Sequence, residues 1–205
     1  MNPREGSLED PQVGSSVSPL SHLEAKIRQT HSHARLLSKY AEQLLQEYVQ
    51  HQGDPFGLPG FSPPRLPAVA GLSAPATGHA GLPVPERLRL DAAALDALAP
   101  LLDAVRRRQA ELNPRAARLL RRLEDAARQA RALAAALEAV LAALGAEPRG
   151  VPEPPAAAAA PAAAPAAPAS VFSAKVLGLR VCRLYREWVS RAEADLRPMV
   201  PGGPA

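Results

Sequence analysis

Proline and glycine break this chain in three places, and the unequal lengths of those breaks restrict how the segments between them can pack. Residues 55 to 85 are rich in both, with Phe56, Leu58, Phe61 and Leu66 embedded as apolar anchors. At Asn113-Pro114 the break is only a residue or two long, and from 146 to 169 nearly every residue is Ala, Pro, Gly or Glu. Prolines at 148, 152, 154, 155, 161, 165 and 168 forbid a continuous helix there despite the alanines. The connections therefore run long, short, long. A short loop joins antiparallel neighbours, whereas a long one can carry the chain back to start a parallel helix, so this order predicts up-up-down-down topology. A helix of about 30 residues is about 45 Å long, and 24 linker residues at about 3.3 Å each span that distance.

Between the breaks the apolar residues recur in steps of four and three. The first stripe is Leu23, Ile27, Thr30, Ala34, Leu37, Ala41, Leu44 and Tyr48, starting after Ser18-Pro19 or at the Ser21-to-Glu24 capping box and stopping at Gly53-Asp54-Pro55. The second carries Leu95, Leu98, Leu102, Val105 and Leu112, with Asp91 as its N-cap and Pro100 marking a kink or interruption. The third, with Asn113 as N-cap and Pro114 at the first helical position, carries Leu119, Leu123, Ala126, Ala130, Leu133, Leu137, Val140 and Leu144 and is closed by Gly145. The last starts at Ser170 or Ser173 and buries Leu177, Val181, Leu184 and Trp188 before Pro198.

Leu and Ala dominate the apolar content while strand-forming residues are few, so the expected fold is all-α: a long-chain four-helix bundle with two long crossover loops. The expected organisation is a flexible N-terminus (1–17), one domain (18–199) and a flexible C-terminus (200–205), with helices at about 19–52, 86–112, 114–145 and 171–197. A long crossover (53–85) and a disordered Ala/Pro linker (146–169) complete it.

Charge and motif content exclude several function classes. From Arg106 to Arg131 nine arginines face three acids, a basic face that suits a solvated helix or an acidic partner. That stretch has no stacking aromatics, and no nucleic-acid partner is expected. Residues 1–12 carry Arg4, Glu5, Glu9 and Asp10 without an apolar core, so they read as neither a signal peptide nor a membrane span, and no membrane insertion is expected. Cys182 stands alone, which rules out an intramolecular disulfide and leaves packing to hold the bundle; it reads as a small core residue. HExxH, GxSxG, GxxxxGK and GxGxxG are all absent, so the chain reads as a non-enzyme without a cofactor. His31 and His33, two apart, point to different sides of a helix and read as surface histidines, and no metal is assigned anywhere in the chain.

Two stretches carry a family resemblance: Leu23-Glu-Ala-Lys-Ile-Arg-Gln-Thr-His-Ser32 with Tyr40-Ala-Glu-Gln-Leu-Leu-Gln-Glu-Tyr48, and Phe172-Ser-Ala-Lys-Val-Leu-Gly-Leu179 with Tyr185-Arg-Glu-Trp188. Together with Asp54-Pro-Phe-Gly-Leu-Pro59 they resemble the interleukin-6 family of helical cytokines, over essentially the whole chain. The resemblance implies a secreted, monomeric ligand for glycoprotein 130 and the leukaemia inhibitory factor receptor that drives JAK–STAT signalling in heart muscle cells and neurons; whether a third subunit takes part stays open. It also implies an extracellular site of action reached without a conventional signal peptide, as in the branch of the family most like this chain.

Members that use the second receptor share Phe-x-x-Lys at the start of the last helix, which stands here as Phe172-Ser173-Ala174-Lys175. The resemblance makes Phe172 and Lys175 the candidate contacts for the leukaemia inhibitory factor receptor. A purely structural role competes: with Ser173 as N-cap, Phe172 and Leu177 have the spacing of a hydrophobic staple. Against it, Lys175 would then sit in the first turn, where the helix dipole disfavours a cation. The family binds its common subunit through the first and third helices, whose outer faces carry Arg28, His31, Arg35 and Glu42, and Arg118, Arg122, Asp125 and Gln129. Two readings from other classes remain, an amphipathic lipid-surface protein and an intracellular helical adaptor; vesicle flotation tests the first, and detection in the medium of intact cells counts against the second.

Overall fold

The apolar stripes become four long helices: α1 (Pro19–Gln52), α2 (Val84–Leu112), α3 (Ala117–Ala143) and α4 (Val171–Leu196). The computed structural model describes residues 18–63, 69, 72–146 and 170–202. Expectations for residues 1–17, for Leu66, for 147–169 of the Ala/Pro linker and for 203–205 lie outside the described residues. Among those described, extended pairing is limited to one bridge between Val69 and Leu72.

Interhelical bonds fix the directions. Tyr48 and Gln52, at the end of α1, meet Lys175 near the start of α4, while Ser38 donates to Glu193 near the end of α4, so α1 and α4 are antiparallel. His33 meets Gln129 and Glu47 meets Arg118 and Arg122, which makes α3 antiparallel to α1 as well. Arg87 bonds Asp195 at one end of α2, and Gln109 reaches Tyr48 at the other, so α2 runs parallel to α1. The result is an up-up-down-down bundle in which α1 and α2 each pack on both α3 and α4.

The core is the union of the stripes. Ile27, Ala34, Leu37, Ala41, Leu44 and Tyr48 of α1 close on Leu95, Leu98, Leu102 and Val105 of α2. Leu119, Leu123, Leu133, Leu137 and Val140 of α3, with Val181, Leu184 and Trp188 of α4, complete it. Cys182 is fully buried in this core, and burial pushes its thiol up to about 12. The stripes fade at their ends: Leu23, Leu112 and Leu177 are half-buried and Leu144 is exposed.

Several local expectations are corrected. α2 begins at Val84, so Asp91 is not an N-cap but a buried residue one and a half to two turns inside the helix. Leu88, Ala92 and Leu95 share its buried face. α2 also runs unbroken through Pro100, which lies on an exposed position, so no interruption occurs there. Asn113 caps the C-terminus of α2 rather than the start of α3: its backbone N–H and its Nδ2 both donate to Gln109. α3 starts three residues later than expected, after Ala116, whose side chain cannot cap. At its far end Gly145 closes the helix as expected, at φ +68°, in a Schellman motif with Gly145 N–H donating to Ala142 and Ala146 N–H to Leu141. Of the anchors expected in the first crossover, Phe56 is buried and Phe61 half-buried, but Leu58 is exposed to solvent.

Candidate functional site

At the start of α4, Ser170 is the N-cap: its hydroxyl accepts from the Ser173 N–H at 3.1 Å. This removes the Ser173 staple. Phe172 is the second helical residue, not the one before the cap, and the residue is 49% exposed. It rests on Phe56 with ring centroids 5.6 Å apart, and Phe56 in turn meets Phe61 edge-on at 5.3 Å. Val171 and Leu58 are also exposed here, so this end of the bundle presents an apolar knob on an aromatic base.

Lys175 falls in the second turn of α4, beyond the reach of the helix-dipole penalty expected for it. Its Nζ donates to the Gln52 carbonyl at 2.9 Å, one of the carbonyls that α1 leaves without an intrahelical partner. The cation thus sits at the negative end of α1, and this explains the charge without a receptor. Beneath it lies a neutral polar network. Tyr48 Oη donates to the Lys175 carbonyl at 2.8 Å and accepts from Gln109 Nε2 at 3.3 Å, and Gln52 Nε2 donates to Gln109 Oε1 at 3.0 Å. Burial raises the Tyr48 phenol well above its ordinary range, so it stays a donor. Gly178 makes the arrangement possible: a Cβ there would lie 2.1 Å from Tyr48 Oη. Lys175 is therefore held on a platform built by three helices, and Phe172 beside it on the Phe56 ring of the first crossover.

The eight outer-face candidates do not form one patch. Arg28 and Arg35 are exposed on α1, and His31 beside them is half-buried. Glu42 faces α4, where Arg186 pairs with it at 3.3 Å. Arg118 and Arg122 converge on Glu47 of α1, at 3.4 and 2.5 Å, and Arg122 also donates to Gln43 at 3.1 Å. Gln129 meets His33 at 2.9 Å, and Asp125 pairs with Arg128 of its own helix. Four of the candidates thus lie along the α1–α3 seam, and much of the basic face is neutralised by neighbouring acids.

Leu36 and Tyr40, four apart on α1 and exposed, were missed. Tyr40 lines a cavity of about 270 Å³ with Leu37, Arg122, Asp125 and Gln129. The available signal was that both residues fall off the buried stripe, where an exposed Leu-Tyr pair at helical spacing needs an explanation.

No helix of the described residues is long and apolar enough to cross a membrane. Against known proteins, the family model for ciliary neurotrophic factor matches residues 26–205. Cardiotrophin-1 of Homo sapiens is 77% identical over 205 residues, all of both chains, and cardiotrophin-1 of Rattus norvegicus is 73% identical over the same span. Cardiotrophin-2 of Mus musculus is 40% identical over 112 residues, 53% of this chain and 54% of its own length. No solved structure gives a significant match. With a bundle of four long helices, an exposed aromatic knob at one end and a family match over nearly its full length, the chain belongs to the ciliary neurotrophic factor family of helical cytokines.

Proposed function

We propose that the chain is an extracellular ligand that brings together glycoprotein 130 and the leukaemia inhibitory factor receptor, with Phe172 and Lys175 as contacts for the latter, and so activates JAK–STAT signalling. The observation that carries the reading is the half-exposed Phe172 ring on its Phe56 base. An aromatic anchor ringed by apolar surface and held rigidly from below is how a few residues come to dominate a binding interface. Lys175 keeps two of its three ammonium protons for a partner after bonding Gln52, and its apolar stem flanks the knob. The common subunit is assigned to the α1–α3 seam, where Arg122, Asp125 and Gln129 lie around Tyr40 and Arg118 pairs with Glu47, with Arg28, His31 and Arg35 further along α1. Glu42, turned toward α4, lies at the margin of that surface. Export without a conventional signal peptide, and action as a monomer on heart muscle cells and neurons, belong to the same proposal.

The test is STAT phosphorylation in cells bearing both receptor subunits, comparing wild type with Phe172→Ala. Because Phe172 is half-exposed, the variant is expected to keep the wild-type melting temperature while losing most of its potency. Equal potency overturns the Phe172 assignment. Failure of the folded wild-type protein to signal overturns the receptor pair.

A further inference from the structure

At the opposite end of the bundle three potential metal ligands from three different elements converge inside the protein. His79 comes from a short 3₁₀ turn of the first crossover (His79–Gly81), Asp91 from α2 and Asp195 from α4; all three are buried, and one ligand atom of each lies within 4.8 Å of the others. His79 Nε2 is 2.7 Å from Asp195 Oδ2 and 3.7 Å from Asp91 Oδ1. Arg87 donates to the other Asp195 oxygen at 2.6 Å, which fixes that carboxylate with Oδ2 toward the histidine. Asp91 is the anomaly. It has no measurable exposure, no nitrogen or hydroxyl donor reaches either of its oxygens, and the group it can share a proton with is a second carboxylate, Asp195. Two buried carboxyl groups side by side are costly unless a proton or a cation is held between them.

We propose that His79, Asp91 and Asp195 form a binding site for a divalent cation of the zinc class, which clips the first crossover to α2 and α4. One imidazole and two carboxylates are a donor set that zinc accepts, with a fourth position left to solvent. The 3.7 Å gap is too long for a hydrogen bond. It is close to the edge of about 3.3 Å of a tetrahedron with zinc bonds of about 2.0–2.1 Å. The His79–Asp195 pair needs to open by only about half an ångström to reach the same edge. Arg87 supplies the outer-shell bond that orients a ligating carboxylate. A cavity of about 610 Å³, lined by Ser73, Gly78, His79, Leu90 and Trp188 among others, borders His79, and a small movement of that residue would open the site to it. Arg87 and Arg191 act on the cluster with positive charge, so the affinity is set below that of an all-thiolate structural site. The proposal does not depend on the receptor reading, whose Phe172 and Lys175 lie at the other end of α4 and whose remaining residues lie on α1 and α3.

The test titrates zinc chloride into the metal-free full-length chain, followed by calorimetry and by thermal melting with and without EDTA. One site with a Kd on the order of micromolar is expected, with a melting temperature that rises with zinc and falls back with EDTA. Asp91→Asn keeps the shape of the side chain, so it keeps the fold, and it should weaken binding by at least about tenfold, the smallest loss expected even for an outer partner of a metal. Cobalt(II) in the same site should give the visible absorption of a four-coordinate ion, lost in Asp91→Asn. Absence of binding overturns the proposal, and so does zinc binding unchanged in Asp91→Asn, which would place the ion on surface histidines. A melting temperature indifferent to zinc but raised by Asp91→Asn also overturns it, leaving a proton shared by the two carboxylates as the occupant.

Discussion

The two ends of the bundle solve one problem with opposite chemistry. Where α1 and α2 finish and α4 begins, polar side chains are buried as neutral phenol and amides: Tyr48, Gln52 and Gln109 satisfy one another and the α4 backbone. Where α2 begins and α4 finishes, the buried groups are ionisable: Asp91, Asp195, His79 and Arg87. The neutral end carries the exposed Phe172 knob, and the charged end ties down the first crossover, with Trp188 donating from its indole to the Ser73 carbonyl and meeting His79 edge-on. Neutral networks hold one geometry over a wide range of conditions, which suits the receptor contact proposed for that end, whereas an ionisable cluster makes its end answer to pH.

The sharpest way to break the comparison is at Asp195, which accepts from both Arg87 and His79. Asp195→Ala strands a largely buried guanidinium and imidazole, and a loss of about 3–5 kcal/mol in urea unfolding is expected. The same end should show a pH slope in metal-free protein. Burial first, and Asp195 second, raise the Asp91 carboxyl from 3.8 to about 8. Between those values the folded chain keeps a proton that the unfolded chain has released, so this group's contribution makes stability fall as pH rises through the window and level off above it. In EDTA, wild type minus Asp91→Asn isolates that slope; a flat difference from pH 4 to pH 8 would show that Asp91 titrates normally.

At the neutral end the largest effect is expected from Gly178→Ala. An alanine in a helix is ordinarily better than glycine by up to about 1 kcal/mol. Here the new Cβ would meet Tyr48 Oη at 2.1 Å and Cζ at 2.6 Å, so the ring must move and its hydrogen bonds go with it. A net loss of about 3 kcal/mol is expected by chemical denaturation. Because the oxygen is the closest atom, the cost should shrink in a Tyr48→Phe background; strict additivity of the two substitutions would deny the contact.

The bundle was legible in the sequence because its signals are local: stripes of period 3.6, a glycine after α3, and connection lengths that leave one topology. The errors sit where a residue's role depends on a distant element. Asp91 has the composition of an N-cap, and only Asp195, 104 residues away, and His79 in the crossover explain an acid on the buried face of α2. No spacing rule joins those three positions. Lys175 seemed misplaced on its own helix because its partner is the last carbonyl of α1. Phe172 was singled out from a short motif, and its position depended on which serine capped α4; the competing staple failed when Ser170 took that place.

The smallest expected changes in stability fall at the exposed surface of the neutral end, and they separate holding the site together from being the site. Lys175→Met keeps the apolar stem but removes the bond to the Gln52 carbonyl, so it should cost about 1 kcal/mol, the net value of a partly exposed charged hydrogen bond at a helix C-terminus. Phe172→Ala removes a half-exposed ring whose main contact is Phe56 and should cost no more than about 0.5 kcal/mol. If recognition rests on the aromatic anchor, the order reverses in receptor binding: Phe172→Ala should lose about 2 kcal/mol or more of affinity, while Lys175→Met loses less. Titrating the immobilised receptor ectodomain with each variant measures this directly. A larger loss for Lys175→Met than for Phe172→Ala would mean that the charge carries recognition and that the aromatic cluster serves the fold.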